Sequence, residues 1–335
     1  MIIVRAPLRI SFVGGGSDLP DFYKVYPGKV ISATIDKYVY IAINPAPLLK
    51  GISARYSINE NVKKVENLKN DRIRETMLHW GVKDNMEIGA FSHLPIGTGL
   101  GGSSSFTVSL VKGLSLYLGK RFDKKEIAEL ACKIEIDLIK EPIGKQDQYA
   151  SVFGGFNIFK FNPDETVDID PILLDYKKRI DLENHMLVFF IGITRQASDI
   201  LKEQKSNTST NLESLNSIVK LVDLFKEKLI KGDFKTMGKL LHEGWLKKKK
   251  LASKISSEDI DKFYRIGLKN GAWGGKLLGA GGGGCILFLA PLKKKEGIKV
   301  ALGESAKKLG LFDFKEVPIK FVHSGVEVVS NSLFN

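Results

Sequence analysis

The sequence predicts an α+β fold of two units, on three observations. The chain is 335 residues long, which at roughly 150 residues per domain makes about two domains. Strand-like and helix-like segments occur in both halves, the pattern of an α+β protein. Between the halves lies an acidic, Pro-containing stretch, Asn162–Glu183, so the expected division is 1–182 and 183–335. Hydrophobic residues at 43% and charged residues at 27% are ordinary for a globular chain. They exclude a disordered chain, a collagen-like fibre and a disulfide-stapled miniprotein.

Ile2–Val13 is apolar, rich in β-formers and broken by Pro7, and reads as a strand or a bent strand pair. Gly14–Asp18 closes it in a tight loop, and Asp18-Leu19-Pro20 opens a short helix. Val30–Ile35 and Tyr38–Asn44 read as two strands joined by a turn at Asp36-Lys37. Asp71–Trp80 is a helix stopped by Gly81, and Met86–His93 a strand. A helix is expected from Ser103 to Leu118, and Asp123 caps another that runs to Ile139. Gly154–Phe161 and His185–Ile193 are strands. In Leu212–Leu229, residues Leu212, Leu215, Ile218, Val219, Val222, Phe225 and Leu229 share one helical face. Helices Phe234–Leu251 and Glu258–Lys269 follow, then strands Ala272–Leu278 and Cys285–Leu289. A helix near Lys294–Leu309 and a strand near Val326–Val329 complete the pattern.

The net charge of +13 raises the question of nucleic acid. The lysines, however, are spread over helices beside acids, and no helix-turn-helix, zinc-finger or RNA-binding aromatic signature accompanies them. No nucleic-acid partner is expected. The run Lys247–Lys250 reads as a solvated helix face. A basic surface also attracts small anionic substrates. Cys132 and Cys285 stand far apart, and none of the five histidines has metal-ligand spacing. His93 and His242 read as structural. The first ten residues, with Arg5, Pro7 and Arg9, do not read as a signal peptide. The uncharged run Ile88–Val111 is too broken by Pro, Gly and Ser to suit a bilayer. A reduced cytoplasmic protein without a membrane partner, monomer or homodimer, is the expectation.

Three glycine-rich loops carry the chemistry. The central one is Pro95-Ile96-Gly97-Thr98-Gly99-Leu100-Gly101-Gly102-Ser103-Ser104-Ser105, between a strand and a helix. Glycines let backbone N–H groups turn toward a phosphate chain, and the helix start offers free N–H groups to the same anion. Walker A would require Gly-Lys-Ser/Thr, and there is no Lys here. Gly97-x-Gly99-x-x-Gly102 matches the dinucleotide pattern, but no second strand ends in an acid about 20 residues on, since Asp123 opens a helix. The second loop, Gly279-Ala280-Gly281-Gly282-Gly283-Gly284-Cys285, joins two apolar strands. The third is Gly14–Asp18, where Asp18 could be a helix cap or a ligand group.

Together the loops resemble the three motifs of the galactokinase, homoserine kinase, mevalonate kinase and phosphomevalonate kinase (GHMP) superfamily. Ala6–Asp18 is similar to its first motif, Pro95–Ser105 to its second, the phosphate loop, and Lys276–Cys285 to its third. The resemblance implies a two-domain GHMP kinase fold, with a ribosomal S5 domain 2-like N-terminal domain and a ferredoxin-like C-terminal domain. Gly14–Pro20, Thr34–Tyr40, Glu141–Ala150 and Gly192–Arg195 further resemble D-glycero-D-manno-heptose 7-phosphate kinases. That group phosphorylates the anomeric oxygen, giving the 1,7-bisphosphate used for surface polysaccharide. Fucose kinases share much of the pattern. The galactokinase-type Gly-Glu-His-x-Asp is replaced here by Gly14–Asp18, which leaves more room near the sugar.

The resemblance assigns roles. ATP and Mg²⁺ are the implied cofactors, with a sugar phosphate as partner. Gly97, Gly99, Leu100, Gly101, Gly102, Ser103, Ser104 and Ser105 would hold the triphosphate. Ser103 (or Ser104) and Glu135 would hold Mg²⁺. Asp147 would accept the proton of the attacking hydroxyl, with Arg9 or Lys145 beside it to favour its charged form. Gly15, Gly16, Ser17 and Asp18 would bind the sugar, Arg195 its phosphate, and Gly281, Gly282 and Gly283 would close on the substrate. A different kind of reading, a non-catalytic sugar or nucleotide sensor on the same fold, is disfavoured by the presence of both Asp147 and Glu135.

Overall fold

The protein is described from a computed structural model, which covers residues 1–193 and 197–332. The strands are β1 (Ile2–Val13), β2 (Gly28–Pro45), β3 (Ile52–Arg55), β4 (Asn59–Val62), β5 (Met86–Ser92), β6 (Phe156–Phe161), β7 (Val167–Pro171), β8 (Met186–Phe190), β9 (Gly274–Leu277), β10 (Cys285–Leu289), β11 (Lys315–Glu316) and β12 (Glu327–Asn331). The helices are α1 (Pro20–Tyr23), α2 (Asp71–Trp80), α3 (Gly102–Tyr117), α4 (Lys124–Cys132), α5 (Gln146–Phe153), α6 (Tyr176–His185), α7 (Ala197–Ser206), α8 (Leu212–Lys231), α9 (Phe234–Lys248), α10 (Glu258–Lys269) and α11 (Lys295–Lys308).

The architecture is α+β, with two sheets. The larger runs β12-β1-β2-β5-β3-β4, and β2 also carries β6, which pairs with β7. The smaller is antiparallel, in the order β11-β8-β10-β9. One apolar core joins them. Leu8, Ile10 and Phe12 of β1 pack with Val188, Leu287 and Leu289 of the small sheet, through Phe225 of α8 and Met237 of α9. Burying side chains of this size is worth about 1.5–3 kcal/mol each, so the sheets stabilise one another.

Local signals act as the sequence suggests at several points. Asp123 caps α4 in a reciprocal box with Glu126, at 2.8 and 2.7 Å. Gly81 ends α2 in the left-handed conformation, φ 69°. α10 spans Glu258–Lys269 as expected. Other expectations are corrected. Gly28–Pro45 is one strand of 18 residues, not two about a turn. Asp36 and Lys37 bulge where the register with β1 shifts between Pro7 and Leu8. Pro7 cannot donate to the ladder, and the Asp36 N–H instead donates to Lys320 O at 2.8 Å. The stretch 162–183 carries β7 and most of α6, which leaves the division into two units as an expectation. β12, at the end of the chain, pairs with β1. α7 had no counterpart in the sequence reading. Beyond Cys132, α4 continues as a π-helical turn, Lys133–Leu138, which carries Glu135.

The phosphate-loop candidate lies between β5 and α3 and rests on the glycine loop between β9 and β10. Cys285 N–H donates to Thr98 O at 2.9 Å. A Cβ on Gly279 (φ +74°) would lie 2.5 Å from the Gly99 Cα. Gly279→Ala should therefore cost more than the ~1–2 kcal/mol of a left-handed backbone, because backbone meets backbone. Thermal unfolding should show a clearly lower Tm; an unchanged Tm would mean the two loops are not in contact.

Candidate active site

A cavity of about 660 Å³ opens where the three loops meet. Its walls include Gly15, Gly16 and Asp18 from the first loop, Gly97, Thr98, Gly99, Gly101, Gly102, Ser103 and Ser104 from the second, and Gly279 and Ala280 from the third. The start of α5 contributes Gln146 and Asp147. α3 begins at this wall, so its first N–H groups and positive dipole end face the cavity.

Arg9 joins the pieces. It is buried on β1, and its Nε and Nη2 donate to the two carboxylate oxygens of Asp147 at 2.7 and 2.8 Å. Its Nη1 donates to Gly99 O at 2.7 Å, and its own N–H to Leu100 O at 2.9 Å. Each Asp147 oxygen keeps a second acceptor lone pair, and the side chain is 24% exposed at the cavity. Asp18 is buried beside it, accepting from Gly16 N–H at 3.0 Å and from Gln146 Nε2 at 2.9 Å. Burial, then the charge of Asp147, pushes the Asp18 carboxyl pKa up. Gly144 makes the approach possible, since a Cβ there would overlap the Asp18 carboxylate.

Several expected residues stand elsewhere. Lys145 is not in the cavity; its Nζ donates to Glu165 O at 2.9 Å and sits over the Tyr23 ring. Ser17 is buried structure, its hydroxyl bonding Gly14 O at 2.8 Å and accepting from Lys29 N–H at 3.0 Å. Ser105 anchors α3 to β1 by donating to Pro7 O at 2.9 Å. Leu100 presents its side chain to the core. Gly281, Gly282 and Gly283 pack on backbone rather than on the cavity: a Cβ on Gly281 or Gly283 would strike Ile255 or Ile193, and Gly282 N–H donates to Ile255 O. Arg195 lies outside the described residues.

Glu135 is wholly buried. It accepts from Arg72 Nε at 2.9 Å, Thr107 Oγ1 at 3.0 Å and Gln148 Nε2 at 2.5 Å. Arg72 also reaches Glu141 at 3.2 Å and is itself a wall of the cavity, whereas Glu135 is not. In this structure the Glu135 carboxylate is taken up by Arg72, Thr107 and Gln148 and does not line the cavity. Ser103, by contrast, lies on the cavity wall. Among the described residues no cluster of three His, Cys, Asp or Glu could hold a metal. His93 and His242 are structural as expected, pairing with the Tyr38 N–H at 3.2 Å and the Tyr264 hydroxyl at 2.7 Å.

The sequence reading missed three cavity cations. Arg72 looks like an ordinary surface charge on α2. Lys248, within the run taken for a solvated face, is buried and donates to Gly279 O. Lys276 donates to Ser11 O and Phe12 O, both at 2.8 Å. Its signal was present, as a lone lysine in the apolar run Ala272–Leu278. Burial, then the nearby charge of Arg9, lowers the Lys248 pKa to about 8. Burial and the charges of Lys248 and Arg9 lower Lys276 well below its ordinary value.

Residues 63–155 match the family described as GHMP kinases N terminal domain, and residues 225–308 that described as GHMP kinases C terminal. A D-glycero-alpha-D-manno-heptose 7-phosphate kinase of Campylobacter jejuni is 31% identical over 332 residues, covering 95% of this chain and 98% of its own. A galactokinase of Thermococcus kodakarensis is 26% identical, with 95% and 97% covered. Among solved structures, a D-glycero-D-manno-heptose 1-phosphate kinase from Bacteroides thetaiotaomicron superposes with a TM-score of 0.80 at 24% identity, over 99% of both chains. No helix among the described residues is long and apolar enough to cross a membrane.

The lowered Lys248 pKa sets a pH dependence. An anionic ligand favours the protonated ammonium, so binding above pH 8 should take up a proton and weaken as pH rises. Calorimetric titration with ADP in two buffers of different ionisation enthalpy at pH 8.5 should show that uptake, and Lys248→Met should reduce it. Stability moves the other way. Between about 8 and the usual 10.5 the unfolded chain holds more protons than the folded one, so the cost of burying Lys248 fades as pH rises through that window.

Proposed function

Because this chain belongs to the GHMP kinases and is an ATP-dependent sugar kinase, we propose that its acceptor is D-glycero-D-manno-heptose 7-phosphate and its product the 1,7-bisphosphate. The observation that carries the chemistry is Asp147, held by Arg9 through both oxygens at the edge of a glycine loop that opens a helix. Support for the particular sugar comes from the 31% identity with the Campylobacter jejuni heptose 7-phosphate kinase along nearly the whole chain.

Catalysis of phosphoryl transfer is mostly positioning and charge stabilisation. In this reading the backbone amides of Gly97–Ser104 and the start of α3 hold the triphosphate. The anomeric hydroxyl lies against Asp147, whose free lone pair accepts its proton as its oxygen bonds the γ-phosphorus and the bond from that phosphorus to the β,γ-bridging oxygen breaks, leaving ADP. Arg9 cannot drift from that carboxylate, since the same guanidinium is fastened to Gly99 O. Base and phosphate loop therefore keep a fixed separation. Asp18 faces the sugar from the first loop.

Asp147→Asn keeps the shape and removes the base. It should lower kcat at least ~100-fold while leaving the Kd for an unreactive ATP analogue within a few fold. Unchanged turnover would end the base assignment. An ADP-release panel of the heptose 7-phosphate, the free heptose, L-fucose and D-galactose tests the acceptor. The phosphorylated heptose should be preferred; preference for an unphosphorylated sugar would replace this reading with a galactokinase- or fucokinase-like one.

A further inference from the structure

Among the described residues, eight buried side-chain polar atoms have no hydrogen-bond partner, and three of them belong to residues that line this cavity: Ser11 Oγ, Gln146 Oε1 and Gln204 Nε2. Gln204 comes from α7 and is 2% exposed, while Ser11 is 4% exposed. Buried polar groups are ordinarily paired, so this clustering marks a place where the partners come from a ligand. The three residues gather around the first loop. A Cβ on Gly16 would lie 2.5 Å from Gln204 Nε2, and one on Gly15 would lie 3.7 Å from Ser11 Oγ and 3.9 Å from Gln146 Nε2. Gly16 thus lets the Gln204 amide come up against the loop, where a Cβ would displace it, and Gly15 keeps Ser11 and Gln146 within van der Waals reach.

The chemistry of the set is specific. Gln204 Nε2 only donates, Gln146 Oε1 only accepts, and the Ser11 hydroxyl does both. Gln146 spends its own Nε2 on Asp18 at 2.9 Å, which fixes the side chain. None of the three carries charge, and the adjoining Asp18 carboxyl together with the Gln146 carbonyl would repel a phosphate. Sugar hydroxyls, each both donor and acceptor, match this array.

We propose that Gln204, with Ser11 and Gln146, reads the non-reacting hydroxyls of the acceptor sugar, and that α7 is the element that sets which sugar is accepted. The proposal rests on the sugar-kinase identity of the site but not on which sugar is used. It also leaves any phosphate on the acceptor to be held elsewhere than at Asp18.

The test uses the full chain, Gln204→Leu, and the best acceptor from the panel together with its singly deoxygenated analogues. Gln204→Leu should raise KM for the acceptor tenfold or more, with KM for ATP and Tm unchanged. At one ring position the deoxy analogue should be penalised tenfold or more by the wild type and hardly at all by Gln204→Leu, because the hydrogen bond is already gone. An unchanged acceptor KM, or equal deoxy penalties in both proteins at every position, would overturn the proposal. Should Gln204→Leu fold poorly, Ser11→Ala carries the same cycle with the same two outcomes. If the panel selects L-fucose or D-galactose, the heptose reading fails while the cycle, run on that sugar, still decides the role of Gln204.

Discussion

A single buried guanidinium holds the active site together. Arg9 leaves β1 under the phosphate loop and commits three of its five N–H donors, two to Asp147 and one to Gly99 O. Its backbone N–H adds the bond to Leu100 O. Gly101 must be glycine for this to happen, since a Cβ there would press on the Arg9 side chain at 3.2 Å in a left-handed backbone (φ +78°). Removing one member of a buried ion pair typically costs about 3–5 kcal/mol, because the other charge is stranded. The candidate base and the phosphate loop are therefore one mechanical unit. Both are gripped by a residue far from either in the chain, 138 positions from Asp147 and 90 from Gly99.

The glycine loops are best understood through this constraint. The loop between β9 and β10 is not a flap over the substrate. Its glycines allow backbone to run against backbone: Gly279 against Gly99, Gly284 against Thr98, Gly283 against Ile193. The small sheet thus braces the phosphate loop from behind. Gly144 does the same service on the sugar side, admitting Asp18 next to α5. In each case the missing Cβ is used for close packing of the walls, and Gly16 follows the same rule by admitting the Gln204 amide.

Much of this was legible in the sequence, and the reasons for the remainder are physical. Caps and stops depend on neighbours in the chain, so Asp123, Gly81 and the boundaries of α10 could be read directly. Arg9, Asp18 and Asp147 lie inside motifs whose residue order survives as a pattern. Arg72, Lys248 and Gln204 do not. Each sits on a helix where its local surroundings suggest a solvated face, and only the packing of distant elements turns it inward. Lys248 shows the difficulty most clearly: of four consecutive lysines, helix geometry points one at the cavity, and no local rule selects which. The Asp36–Lys37 bulge misled for the opposite reason, since its polar dipeptide looks like a turn while its backbone is satisfied by Lys320 far away.

The charges divide the cavity. Besides burial, Arg9 depresses the protonation of Lys248, and Lys248 and Arg9 together that of Lys276, while Arg72 adds a fourth cation at the side near Glu141. Gathering like charges out of water is unfavourable for folding. It is the arrangement expected where a polyanion must be received, because oriented charge that exists before binding needs no reorganisation when negative charge builds up in transfer. The first loop takes the contrary course: one carboxyl and three neutral, unpartnered polar atoms. Neutral donors and acceptors that match a polyol's hydroxyls thus lie beside cations that match a polyanion, with Lys276 bonded to Ser11 O where the two sets meet, and Asp147, fixed by Arg9, opens onto the same cavity.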